Sequence, residues 1–329
     1  MASRGTRTKS ARMSPSPPAV PGLPPRATAR LKDGVASIVL DVTGLDDPAA
    51  DALEADVQAA AQRAPGVREA RVVRTSERTQ RRLIAIASGK GGVGKSTLSA
   101  NLAVALHRAG RPVGLVDADI QGPSQPRLFG VEGSKPEARD NRMIPLPTAA
   151  GVPLLSMGML VPAGQAIAWR GPMLGNALSQ LLDGHWGAAD PILLDLPPGT
   201  GDVQLTMVQK HKPVGAIIVS TPQDLALIDA RRAIDLFAKA DVPIIGLVEN
   251  MAGYTCPDCG SVSDPFGNGG AEDEAARLGI PFLGRIPLAI GIRTASDAGS
   301  PPAAGNGAEG AAFGEVAERI DAWLRAHGG

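Results

Sequence analysis

From Leu83 onward, short uninterrupted apolar runs recur along the chain. LIAIAS, PVGLVD, PILLDL, VGAIIVS and PIIGLVEN follow one another in that order. None alternates with polar residues, so each reads as a strand buried on both faces of a parallel sheet. Between several of them the period changes to that of a helix. Residues 96–108 put Leu98, Leu102 and Leu106 on one stripe, and residues 225–239 form a second such segment. Strand–helix alternation predicts an α/β fold with a doubly wound, mostly parallel sheet over residues 83–329. Ligands of such a sheet bind at the carboxyl ends of its strands. Near the end of the chain, residues 312–326 set Phe313, Val316, Ile320 and Trp323 on one helix face. Acids and arginines mix on the other face, a pattern for core packing and not for a membrane surface, which would be more basic.

The pattern before Leu83 is different. Residues 29–75 read as a small separate α/β unit. Two short strands flank a Lys32-Asp33-Gly34 turn, and Asp-Gly is a strong hairpin signal. Residues 49–61 follow with Ala49, Leu53, Val57 and Ala60 at helical spacing; Pro65-Gly66 ends the helix and VREARVV makes a third strand. Nothing in this unit looks catalytic. Residues 76–82 are polar and predict a linker. Residues 1–28 are rich in Pro, Ser, Ala and Arg and contain no acid, which predicts a disordered tail. Such a composition also resembles organelle transit peptides, but its prolines argue against an amphipathic helix.

Composition narrows the function. The chain has 329 residues, a prior for about two domains. Its 33 basic and 33 acidic side chains leave no net charge, and aromatics are only 3%. Both facts argue against a dedicated nucleic-acid partner, which needs phosphate-neutralising charge and stacking platforms. No apolar run is long enough to span a membrane. The two cysteines sit together, which excludes a secreted disulfide framework and fits a reducing, cytoplasmic setting.

The strongest chemical signal is Gly89-Lys90-Gly91-Gly92-Val93-Gly94-Lys95-Ser96, followed by Thr97. It matches the phosphate-binding loop G-x-x-x-x-G-K-[ST], and it lies between a buried strand and an amphipathic helix, as the mechanism requires. Glycines let backbone N–H groups turn toward phosphate oxygens, and the helix N-terminus adds its dipole. Lys95 would sit on the β- and γ-phosphates, and Ser96 would offer its hydroxyl to Mg²⁺. Asp117 and Asp119 close one strand and Asp195 ends another, where carboxylates facing a metal and an attacking water belong. Asp202 is weaker, since it could simply cap the helix that follows it.

Cys256-Pro257-Asp258-Cys259-Gly260 is the second constellation. Two thiolates at this spacing grip one metal ion or one cluster face, and the glycine permits a tight turn. One chain cannot complete a four-thiolate site, but a homodimer supplies four cysteines. Spacing alone leaves a bridging 4Fe–4S cluster, a structural zinc ion and a redox disulfide all open.

The motifs SGKGGVGKST, DADIQGPS, WRGPM, DLPPGTGD, STPQDLALIDARRAI, GLVENMAGYTCPDCG and GRIPL occur in this order over residues 84–301. Together they resemble the Mrp/ApbC family of P-loop ATPases, scaffold or carrier proteins for iron–sulfur clusters. Lys90 resembles the extra lysine of the MinD, ParA and nitrogenase iron-protein group, where it reaches across a homodimer to the partner's nucleotide. The resemblance implies ATP and Mg²⁺ at the loop, with Lys90, Lys95 and Asp119 in catalysis. It implies Asp195 as the Walker B carboxylate, Asn250 as the residue recognising adenine, and Cys256 and Cys259 as 4Fe–4S ligands. Residues 29–75 are similar to the latter part of an accessory domain that often precedes this ATPase. Its leading helix is absent, and Asp46-Asp47-Pro48 stands where many relatives have a cysteine.

These readings imply a cytoplasmic homodimeric ATPase that carries a bridging cluster to apo iron–sulfur proteins, with no nucleic-acid or membrane partner. The competing expectations are a ParA- or MinD-like positioning ATPase and a zinc-stapled regulatory ATPase.

Overall fold

The computed structural model describes residues 20–43, 45, 47–75, 81–160 and 171–327. Expectations for residues 1–19 and 76–80, and for Trp169 and Arg170 of the WRGPM motif, lie outside the described residues. The chain divides into two units, Met1–Gln80 and Arg81–Gly329.

In the first unit, β1 (Ala27–Lys32) pairs antiparallel with β2 (Val35–Asp41). Helix α1 (Asp47–Arg63) then leads to β3 (Glu69–Thr75), which joins β2 in parallel. Asp33 and Gly34 close the hairpin at φ 52° and 77°, the left-handed pair that a type I′ turn needs. Ala36, Ile38 and Leu40 of β2 form the core with Val57 and Ala61 of α1. The tail predicted to run to residue 28 is ordered before that point. Val20 is buried in this core, with Leu23 packed against it. Arg26 donates to the Thr43 carbonyl at 2.8 Å, and β1 already opens at Ala27. Composition alone missed this because two apolar side chains with a sheet face to cover are enough to hold so short a segment.

The second unit begins with β4 (Leu83–Ala87), α2 (Lys95–Arg108), β5 (Gly114–Asp117) and the short α3 (Gln125–Leu128). A small hairpin of β6 (Ala138–Arg139) and β7 (Arg142–Met143) precedes β8 (Leu154–Ser156). Then come α4 (Gly171–Leu182), β9 (Ile192–Asp195), α5 (Asp202–His211), β10 (Gly215–Ser220) and α6 (Asp224–Lys239). The chain continues through β11 (Ile244–Thr255), β12 (Val262–Ser263), α7 (Gly270–Leu278) and β13 (Phe282–Leu288). It closes with α8 (Ile290–Asp297) and α9 (Ala308–Ala326).

The sheet runs β12-β11-β10-β4-β9-β5-β8, with β13 also on β11, and β12 is its antiparallel member. This is the doubly wound, mostly parallel α/β sheet that the apolar runs predict. Alternate residues of one strand serve opposite cores. Ile84 and Ile86 pack with Leu98, Leu102 and Leu106 of α2 and with Phe313, Val316 and Ile320 of α9. Ala85 and Ala87 face the other layer, with Leu178 of α4, Met207 of α5 and Phe237 of α6. The apolar face of α9 is therefore spent on the core. Among the described residues, no helix is long and apolar enough to cross a membrane.

The predicted linker loses its last two residues to this unit. The Arg82 backbone N–H donates to Asp190 at 2.8 Å, and its guanidinium donates to the same carboxylate at 2.6 Å. A polar dipeptide read as solvated connector is instead tied to the sheet by an ion pair.

Candidate functional site

Between β4 and α2 the chain must turn sharply, and the glycines make the turn possible. Gly92 and Gly94 adopt φ 80° and 79°, where a side chain costs about 1–2 kcal/mol. Gly89 instead lies tight against α6: a Cβ there would come within 2.1 Å of the Asp229 backbone. Val93 is buried beneath the loop. The first turn of α2 has no side-chain cap. Its N–H groups border a cavity of about 220 Å³ lined by Gly91, Gly92 and Gly94 with Lys90, Lys95, Ser96, Thr97, Asp119 and Pro198. Orphan N–H groups at a helix start, two lysines and a glycine loop form an anion site.

Behind this cavity lies a buried polar cluster. Lys95 Nζ donates to Asp195 Oδ1 at 2.5 Å, with both side chains almost wholly buried. The Ser99 hydroxyl donates to the same oxygen at 2.9 Å, and Gln125 Nε2 donates to Oδ2 at 2.7 Å. Asp117 is fully buried and accepts from the Asp119 and Gln125 backbone N–H groups and from Ser156 Oγ, each at 3.1 Å. Burial pushes its carboxyl up to about 7, the charge of Asp195 adds to this, and the two backbone donors and Lys95 oppose it. Asp117 and Asp119 therefore do not share one outlook. The strand ends at Asp117, which turns inward to hold the following loop, and Asp119 stands on the cavity wall. Asp119 accepts from the Gln121 and Gly122 N–H groups at 3.0 and 3.2 Å. Asp202 opens α5 and is exposed.

Asn250 stands behind the loop. Its Nδ2 donates to the Val93 carbonyl at 2.8 Å, and a Cβ on Gly94 would meet that nitrogen at 2.1 Å. In this geometry Asn250 braces the phosphate loop from β11. Its neighbour Glu249 is fully buried and accepts from the Ala271 N–H at 2.8 Å and from Arg285 Nε at 3.0 Å. It thereby ties the start of α7 to β11. Sequence reading missed Gln125, Ser99 and Glu249 in these roles. Their partners are distant in the chain, and the only local sign was polar residues placed among apolar ones.

The cysteines occupy the hairpin that β11 makes with β12. Cys256 N–H donates to the Ser261 carbonyl and Gly260 N–H to the Cys256 carbonyl, both at 2.9 Å, and Gly260 adopts φ 71°. Cys256 is half-buried, Cys259 is exposed, and both are free thiols. Cys259 Sγ lies 3.1 Å from Ser261 Oγ, and this hydrogen bond leads the interactions that lower its pKa. Among the described residues, no group of three or more His, Cys, Asp or Glu in the chain could hold a metal ion.

A glycine loop at the carboxyl end of a central parallel strand, feeding a helix whose first lysine meets a buried aspartate, defines a P-loop nucleotide-binding protein. The model of the ParA family, described as NUBPL iron-transfer P-loop NTPases, matches residues 79–321, and the chain belongs to that family. It is 45% identical over 285 residues to the iron–sulfur cluster carrier protein of Deinococcus radiodurans, covering 83% of this chain and 80% of the relative. Among solved structures it resembles the nucleotide-binding protein of Archaeoglobus fulgidus in complex with ADP. That match has 40% identity and a TM-score of 0.60 and covers 67% of this chain and 86% of the other. The cell division ATPase MinD of Pyrococcus furiosus is similar at 27% identity and a TM-score of 0.56, over 74% of this chain and 99% of that one.

Proposed function

We propose that this chain is an ATP-dependent carrier of iron–sulfur clusters. It binds ATP at the β4–α2 loop and hydrolyses it slowly. It holds one 4Fe–4S cluster between the Cys256–Cys259 pairs of two copies and delivers it to apo-proteins in the cytoplasm. The observation that carries this reading is the pair of free thiols on the hairpin extending β11, the strand that also braces the phosphate loop through Asn250. A cubane needs four ligands and one chain offers two thiolates. The relative from Deinococcus radiodurans, named as a cluster carrier, supports the same reading.

The site suits Mg²⁺, because the Ser96 hydroxyl and the Asp119 carboxylate on the cavity wall are hard oxygen donors, with the Asp195 carboxylate buried behind them as a further one. The ion would supply neutralisation of phosphate charge there. Lys95 rests on Asp195, so arriving phosphates must draw its ammonium forward, leaving Ser99 and Gln125 on the carboxylate. Asp119, on the cavity wall, would orient the attacking water. Lys90, at the cavity mouth, would reach the partner's nucleotide. Asn250 has its amide committed to Val93, so a contact with adenine would come from its remaining oxygen or after the loop shifts. No specific observation favours a positioning ATPase or a zinc staple.

The test is transfer. Protein loaded anaerobically with iron and sulfide is mixed with an apo-protein that requires a 4Fe–4S cluster, with ATP, with ADP and without nucleotide. Recovery of the recipient's activity at a rate set by nucleotide state is expected. Failure of the loaded protein to restore the recipient under any of these conditions would overturn the reading.

A further inference from the structure

Gln125 is a buried polar side chain whose amide oxygen the nucleotide reading leaves without a partner. It opens α3 and is fully buried. Its Nε2 donates twice, to Asp195 Oδ2 at 2.7 Å and to the Ser96 carbonyl at 2.9 Å. Its backbone N–H holds Asp117. Two acceptors fix the orientation of the amide, since a flipped group would set its oxygen against the Asp195 carboxylate. Among the described residues, Gln125 Oε1 is then a buried acceptor with no donor.

A buried carbonyl left unbonded is costly, and an apolar side chain of the same length would avoid that cost. Here the cost falls between two groups proposed for the metal: the Asp195 carboxylate and the residue bearing the Ser96 hydroxyl. The bonding of Asp195 adds a second reason. Oδ1 accepts from Lys95 and Ser99, whereas the donor to Oδ2 is Gln125. When phosphates draw Lys95 away, the direction of the carboxylate depends on Ser99 and Gln125.

We propose that Gln125 is a positioning residue of the magnesium shell. Its Nε2 holds Asp195 and the Ser96 segment at a fixed separation, and its free Oε1 would accept a hydrogen bond from water held by the ion. Groups behind first ligands orient them in this way and are worth roughly 10- to 100-fold in metal affinity. The inference rests on the nucleotide site proposed above.

The test uses the full chain and calorimetric titration with ADP, once in excess Mg²⁺ and once in EDTA. The ratio of the two affinities isolates the contribution of the metal. Gln125→Met keeps length and removes both polar atoms; Gln125→Asn keeps the amide but withdraws it by one methylene. Each should reduce the Mg²⁺-dependent gain, the ratio of the two affinities, roughly 10- to 100-fold, a larger loss than any seen in EDTA. A merely structural role would lower both affinities and the melting temperature together. A folded variant of either kind with the wild-type gain overturns the inference. A wild type that binds ADP with no Mg²⁺-dependent gain also overturns the inference, whereas absence of ADP binding in both conditions would sink the nucleotide reading itself.

Discussion

Replacing Gly94 and Gly92 separately by alanine distinguishes backbone strain from the brace that Asn250 provides. Both glycines sit at nearly the same left-handed φ, 79° and 80°. An alanine at either position therefore carries the same conformational cost of about 1–2 kcal/mol. Their surroundings differ. A Cβ on Gly92 meets nothing within 4 Å, whereas one on Gly94 would lie 2.1 Å from Asn250 Nδ2. Relief of that overlap requires Asn250 to give up the Val93 carbonyl, in a place where its amide is buried. A buried donor left without its acceptor costs about 1–3 kcal/mol. Gly94→Ala should therefore destabilise the protein by about 1–3 kcal/mol more than Gly92→Ala, the difference being the lost brace. Urea denaturation gives the stabilities, and ADP titration shows the loss of phosphate-loop geometry, larger for Gly94→Ala. Equal destabilisation by the two alanines would refute the claim that Asn250 supports the loop. Adding Asn250→Ala to Gly94→Ala should cost little further stability, because the brace can be lost only once.

Four further outcomes are expected. Lys95→Ala should abolish tight ATP binding, because its charge on the phosphates is lost, while Lys90→Ala should keep most binding and lose hydrolysis. Undiminished hydrolysis in the Lys90 variant would make that lysine a bystander at the cavity mouth. Glu274 is gripped by Arg231 and Arg277, whose hydrogen bonds hold its carboxyl down to about 2. A folded-state pKa below the unfolded value gives stability that is present above about 4.5 and is lost as pH falls toward 2. The acid limb of a denaturation series should accordingly flatten in Glu274→Gln, and superimposable limbs would contradict the assignment. Val20→Asp should weaken the first unit, since it would put an unpaired charge in the core where Val20 is buried; an unchanged melting profile of that unit would return Val20 to the tail.

The most legible parts of the molecule were those whose reason is local. The phosphate loop could be read because its glycines, lysine and helix start are consecutive. The parallel strands could be read because burial on both faces leaves an unbroken apolar run such as Leu83–Ala87. The Asp33-Gly34 hairpin could be read because its φ values are properties of two adjacent residues. Other features depend on residues that meet only after folding. Gln125 reaches Asp195 across 70 positions, and Asn250 reaches Val93 across 157. No spacing rule announces such pairs. The strand Phe282–Leu288 was missed because Arg285 and Pro287 break its apolar run, although Arg285 is needed there to hold Glu249. Asp117 and Asp119 were both read as closing one strand, but that strand ends at Asp117.

The central claim is that two chains share one cluster through Cys256 and Cys259. Its most direct test is anaerobic reconstitution of the full chain with iron and sulfide, followed by iron, sulfide and mass determination on one chromatographic peak. The account predicts a brown species at the mass of a dimer, with about four iron and four sulfide per two chains, absent in Cys256→Ser although that variant still binds ADP. A brown monomer, a full cluster on each single chain, or a colourless protein holding stoichiometric zinc would contradict it.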